Sequence, residues 1–241
     1  QFDWASRRKT TPGSDEGPIK RGSGFSFMMF RAGVGTSSAI VRVDAQRQYT
    51  LFVGVTDIGP GAKTTMGMIA AEELGVPLDQ VEVVAGDTDR CPYSVGESGS
   101  RTTIQTGYAV MQAAKDLNQQ IADSGMPTGS DVLIASATPN PSTDGKTRQC
   151  FGAHFVEVEV DTRIGTTRIV KYTTVHESGR IINPTTARDQ IRGATLQGIG
   201  QALHEDLLYD PASGQPLTTG YYRARHLTHL DIPEIDVTFI E

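Results

Sequence analysis

The chain has 241 residues and a net charge of −6, with 37% hydrophobic and 21% charged residues. That length allows one large domain or two modest ones around a substantial core, and the acidic balance argues against nucleic acid as the main partner. No apolar stretch is long enough to cross a bilayer, the N-terminus shows no secretory pattern, and Cys91 and Cys150 form neither a disulfide framework nor a CxxC metal site.

Residues 1–18 are polar and rich in glycine and proline, and read as a flexible lead-in with a solvated Arg7-Arg8-Lys9 cluster. Strand-like patterns follow over 19–30, 39–43 and 49–55. Gly33 to Ser38 invites a dinucleotide-binding reading, but a β-branched alternation follows where that fingerprint needs a helix. A glycine-rich turn between strands is the better account. Residues 64–75 read as a helix with Met66, Ile69, Ala70 and Leu74 on one face and Gly75 as its stop. Val81-Glu-Val-Val84 is a strand that runs into the turn Gly86-Asp-Thr-Asp89, and a second helix spans about 102–121.

The irregular composition of 123–149 divides a first lobe, 19–122, from a second, 150–241. In the second lobe 154–160 and 166–175 form a hairpin around Asp161-Thr-Arg-Ile-Gly165. Asn183-Pro184 is a helix start, an N-cap side chain followed by proline at the first helical position. That helix reaches about Glu205 and contains Gly193, Gly198 and Gly200, each costing about 1 kcal/mol relative to alanine, so each asks for a packing or ligand reason. A second hairpin is expected from 207–209 and 217 onward, and 235–240 is a closing strand. His226 and His229 lie close together but lack the carboxylates or cysteines that would complete a metal site. The fold class is α+β, with mixed sheets and packed helices in two lobes.

Two loop–helix junctions carry the functional signal. Gly96-Glu-Ser-Gly-Ser-Arg-Thr-Thr103 feeds the second helix, and Asp57-Ile-Gly-Pro-Gly-Ala-Lys-Thr64 feeds the first. Helix starts present unpaired N–H groups that favour an anion, and the serines and threonines add side-chain donors. One such junction is usually only a cap. Two suggest a large anionic ligand held at more than one place.

The long run from Thr56 through Pro77, the Gly86-Asp-Thr-Asp89 turn and Ser98-Gly-Ser-Arg-Thr-Thr103 closely resemble the molybdenum-binding subunit of the xanthine dehydrogenase and aldehyde oxidase family. So do Gly179-Arg-Ile-Ile-Asn-Pro184, Gln190-Ile-Arg-Gly-Ala-Thr-Leu-Gln-Gly-Ile-Gly200 and Asp231-Ile-Pro-Glu-Ile235. The resemblance runs from about residue 19 to the end. It implies a cofactor of molybdenum held by molybdopterin or molybdopterin cytosine dinucleotide, with no direct protein ligand to the metal. By that resemblance Gly59 and Gly61 lie near the pterin and metal, Ser98 and Gly99 close to the metal, and Ser100, Thr102 and Thr103 on the cofactor's polar atoms. Gln197 approaches the metal through its amide, with Gly198 giving clearance.

The implied activity is hydroxylation of an aldehyde or N-heterocycle with water-derived oxygen, electrons passing to iron–sulfur clusters and FAD on partner domains or subunits. The implied partners are the remaining molybdenum-domain half, an iron–sulfur subunit and a flavin subunit. The chain is expected to be inactive alone, with no membrane span and a cytoplasmic location, or a periplasmic one reached through a partner's signal. Two departures qualify this. Pro60 stands where many relatives carry a metal-facing glutamine, and proline offers no donor. The family's catalytic glutamate sits in a Gly-Val-Gly-Glu type loop beyond the final strand, so the second lobe reads as truncated before it and no catalytic residue is assigned. Val95-Gly-Glu97 imitates that motif from within the cofactor-binding loop. These departures motivate an alternative, a non-catalytic binding or assembly module that keeps the fold.

Overall fold

The computed structural model describes residues 2–8, 11, 13–33, 35–140 and 147–240. It divides into two compact units, one made of residues 1–30 with 150–241 and the other of 31–149. Parts of the expected lead-in and of the 123–149 connection, together with Val34 and Glu241, lie outside the described residues.

The unit built from 31–149 carries a four-stranded sheet and two helices. In β2 (Ala39–Asp44) Ala39, Val41 and Val43 are fully buried on one face, as the alternation requires. Asp44 turns the chain by accepting from the N–H groups of Gln46 and Gln48, and β3 (Tyr49–Val53) returns antiparallel. Almost every residue of β3 is buried, which fits a strand paired on both sides. From β3 the chain crosses through α2 (Ala62–Leu74) into β4 (Val81–Ala85), which pairs parallel to β3. Gly75 ends α2 in the left-handed conformation. A long loop then leads to α3 (Thr102–Ser124).

Val132–Ala137 forms β5, which pairs antiparallel with β2 and gives the order β4-β3-β2-β5. Both helices pack on this sheet through Met66, Ala70, Val110, Ala113 and Leu117, all fully buried. Small residues let the helices approach closely. A Cβ on Gly107 of α3 would lie 2.9 Å from Ile69 Cδ1 of α2.

The other unit holds β1 (Ile19–Arg31), β6 (Gln149–Asp161), β7 (Thr166–Glu177) and β8 (Ile235–Ile240), in the order β1-β6-β7-β8. β6 and β7 form the expected hairpin around 161–165, with a bulge at Glu157/Val158. α4 (Pro184–Leu203) crosses to β8, which runs parallel to β7. Asn183 caps α4 by accepting from Thr185 and Thr186 N–H. Within the lead-in, α1 (Trp4–Arg7) follows a buried Phe2, and both Phe2 and Trp4 pack against Phe155, the first ring tilted and the second edge-on. Arg7 pairs there with the buried Glu157.

In the register of β6 and β7, His154, Thr174, His176 and Tyr172 share one face. Tyr172 OH lies 3.1 Å from His154 Nδ1, and Thr174 Oγ1 lies 2.7 Å from His176 Nε2. The second hairpin expected after α4 is not formed. A single bridge, Tyr209 to Pro216, closes a turn, and Leu207, Leu208, Tyr209 and Leu217 are all exposed. With no sheet to bury them, their alternation does not make strands. The fold is α+β, and no described helix is long and apolar enough to cross a membrane.

Candidate functional site

Both loop–helix junctions belong to the unit of 31–149, at the ends of β3 and β4. Gly54, just after β3, lets the two chain segments touch. A Cβ there would sit 2.4 Å from the carbonyl oxygen of Pro92 and 3.0 Å from Ser94 Cβ. The segment 92–103 therefore runs directly beside the exit from β3.

The first junction is closed by its own carboxylate. Asp57 accepts from the N–H groups of Gly59 at 3.2 Å, Gly61 at 3.1 Å and Lys63 at 3.3 Å. Desolvation pushes the Asp57 carboxyl up, but the N–H groups of Gly59, Gly61, Lys63 and Ala62 hold it below the ordinary carboxylate value. Asp57 thus fills the place an anion would take at the start of α2. Gly59 and Gly61 have φ of 119° and 81°, left-handed values that favour glycine. A Cβ on Gly59 would meet nothing within 4 Å, so the loop presents an open backbone surface.

The second junction is left open. α3 begins at Thr102 with no side-chain cap on its first turn. Gly99 and Ser100 both have positive φ, 70° and 57°, before the right-handed Arg101. Such left-to-right successions turn backbone N–H groups into an anion-binding concavity. Arg101 folds back to donate to Val95 O at 3.0 Å, Gly96 O at 3.3 Å and Ser98 Oγ at 2.8 Å. Gly33 N–H donates to Gly99 O at 2.6 Å. Ser100, Thr102 and Thr103 take no side-chain hydrogen bond from the described residues. One turn on, Gln105 is fully buried, its Nε2 donating to Gly33 O while its Oε1 has no partner. Such an orphaned buried acceptor is uncommon in a native fold.

Between these loops lies a direct link. Glu97 accepts from Thr56 N–H at 3.0 Å through Oε1 and from the Thr56 hydroxyl through Oε2. The loops that carry Gly59, Gly61, Ser98, Gly99, Ser100, Thr102 and Thr103 therefore lie in one unit and are joined by the Thr56–Glu97 contact. Gln197 and Gly198 sit on α4 in the other unit, both exposed, and a Cβ on Gly198 or Gly193 would meet nothing within 4 Å. Gly200 differs, since a Cβ there would collide with Glu205 Oε1 at 2.4 Å. Among the described residues no group of three or more His, Cys, Asp or Glu could hold a metal.

A family model described as "Molybdopterin cofactor-binding domain" matches residues 1–128 and 128–233. The chain belongs to the molybdopterin cofactor-binding domain family. Among its relatives is the "6-hydroxypseudooxynicotine dehydrogenase complex subunit gamma" of Paenarthrobacter nicotinovorans, 30% identical over 90% of this chain and 32% of that protein. The "Aldehyde oxidoreductase molybdenum-binding subunit PaoC" of Escherichia coli K12 is also 30% identical, over all of this chain and 36% of its own length. The chain spans about a third of the length of these relatives.

Among solved structures, "quinoline 2-Oxidoreductase from Pseudomonas Putida 86" superposes with a TM-score of 0.81 at 27% identity, over 93% of this chain and 35% of that one. CO dehydrogenase from Oligotropha carboxidovorans shares the fold at a TM-score of 0.84 and 23% identity, over 93% and 34%. A molybdopterin-binding domain must offer donors to a polar pterin and its phosphate. The uncapped start of α3 and its free hydroxyls fit that demand. Asp57 was missed as a structural anion in the sequence reading. Its signal was present, an Asp two residues before Gly59 in the pattern of an Asx turn.

Proposed function

We infer that the chain is the cofactor-holding part of a molybdenum-dependent hydroxylase acting on an aldehyde or an N-heterocycle. The open start of α3 is the observation that carries this reading. The bound molybdenum cofactor supplies the redox centre at which water-derived oxygen reaches carbon. The N–H groups at 100–102 and the hydroxyls of Ser100, Thr102 and Thr103 bind the cofactor's phosphorylated, polar portion. Ser98 and Gly99 border the metal side, with Ser98 held by Arg101. Gly59 and Gly61, locked by Asp57, give a flat backbone surface that a neutral pterin edge can approach. Gln197 and Gly198, both exposed on α4, would take the metal-facing amide and clearance roles that the family resemblance gives them.

The cytosine-extended form suits a cleft with donors at a helix start, because that form carries a pyrophosphate. Its partners are the remaining molybdenum-domain half and an iron–sulfur subunit, with a flavin subunit taking electrons onward. Relatives named as one subunit among several, such as the 6-hydroxypseudooxynicotine dehydrogenase complex subunit gamma, support an assembly with other chains.

The test is cofactor retention after co-expression with the remaining molybdenum-domain half in a host that makes the molybdenum cofactor. Metal is read by mass spectrometry and pterin by the fluorescence of its oxidised form. Replacing Ser100 and Thr103 together with alanine is expected to lower both contents about tenfold, while thermal unfolding of cofactor-free protein stays the same. Equal metal and pterin content in parent and variant would remove α3 from the site.

A further inference from the structure

We propose that Glu97 is a positioning residue whose carboxylate fastens the loop at 57–61 to the loop at 98–103 and so sets the width of the cofactor cradle. The inference rests on the proposed function, since it takes those two loops as the cofactor's seat.

The geometry is specific. Glu97 uses one oxygen for the backbone N–H of Thr56 and the other for the hydroxyl of the same residue, across 41 positions of sequence. A carboxylate gripping one residue through two donors fixes direction as well as distance. Each end of this tie is anchored. Thr56 follows the fully buried Val55 and precedes Asp57, whose carboxylate gathers the N–H groups of Gly59, Gly61 and Lys63. Glu97 precedes Ser98, and its own segment is held by Arg101 on Val95 O and Gly96 O and by Val95 N–H on Ser37 Oγ. Movement of either loop therefore passes to the other through this one side chain.

The same arrangement explains the Val95-Gly-Glu97 sequence without a catalytic role. Both carboxylate oxygens are engaged by Thr56, which gives Glu97 a positional role without calling on a proton transfer. A glutamine at this position keeps the tie. Its oxygen accepts from Thr56 N–H and its amide donates to the Thr56 hydroxyl. An alanine removes both bonds, and Thr56→Val removes one.

The experiment compares the parent with Glu97→Gln, Glu97→Ala and Thr56→Val by amide hydrogen exchange on cofactor-free protein and by molybdenum and pterin content after cofactor loading. In Glu97→Ala the amides of 57–61 should exchange at least tenfold faster and cofactor content should fall severalfold. Glu97→Gln should stay within twofold of the parent on both, with Thr56→Val between. Damage from Glu97→Gln equal to that from Glu97→Ala would overturn the proposal, because charge would then matter and not geometry. Faster exchange in Glu97→Ala with undiminished cofactor content would overturn it as well. A parent protein that retains no molybdenum or pterin even when co-expressed with the remaining molybdenum-domain half sinks the functional reading instead, and the exchange data alone then judge whether the tie exists.

Discussion

The starts of α2 and α3 look alike in sequence, each a glycine-rich run feeding a helix, yet they solve the same electrostatic problem in opposite ways. At α2 the unpaired N–H groups are met from within, by Asp57. At α3 there is no cap, two consecutive residues hold left-handed φ, and a buried glutamine oxygen is left over. A helix start that supplies its own anion is finished as a structure, whereas one that does not is available to a ligand. Under the proposed function, the difference separates a loop that would give the cofactor shape from a loop that would give it charge complementarity.

The largest way to break the comparison is to separate the loops. Gly54→Ala would drive a methyl group into the backbone carbonyl of Pro92, an atom that cannot move without its strand exit and loop. Overpacking of this kind costs about 2–3 kcal/mol. Thermal unfolding should show a fall in Tm, and both helix starts should lose exchange protection together. A Tm within error of the parent would mean that the two segments are not in register as described.

A smaller change sharpens the contrast. Asp57→Ala removes the internal anion and should cost about 1 kcal/mol, the usual loss on deleting a helix cap. It should also turn the start of α2 into a second open site, so that added sulfate raises the Tm of the variant more than that of the parent. Identical sulfate responses would show that Asp57 does not occupy an anion position.

The main elements were legible because they follow local rules. Periodicity marks α2 and α3, Gly75 marks the end of α2, and Asn183-Pro184 marks the start of α4 almost to the residue. Alternation marks β2, and the 161–165 turn marks the β6–β7 hairpin. What escaped was long-range. β1 pairs with β6, more than a hundred residues later, and no local pattern records that choice. β5 escaped because its short apolar run lies in a stretch of proline, serine and glycine that reads as loop. At the site, the glycines and hydroxyls were visible as residue types. Which N–H groups were already satisfied was not, since that depends on where Asp57 and Glu97 point.

Acid should erase the comparison by protonating Asp57, with the smallest effect because this carboxylate is exposed. Its folded pKa lies below the ordinary 3.8, so its contribution is complete above that value and is lost as pH falls through the lower folded one. The other unit responds at higher pH. Burial lowers the pKa of His154, and burial together with the neighbouring His154 lowers that of His176, whose ring lies 5.1 Å away. Below about 6.5 the unfolded chain therefore binds protons that the folded rings resist, and stability declines as pH drops. Trp4, the single tryptophan, packs on Phe25 and Phe155 in the same unit as these histidines. Its fluorescence should report a fall in the unfolding midpoint beginning below pH 6.5, whereas the protection factors of the Gly59 and Gly61 amides, corrected for intrinsic exchange, should hold until the pH falls below 3.8. Simultaneous loss of both signals would mean that the carboxylate at α2 is not held apart from the histidines' titration, and the closed start of that helix would then need another explanation.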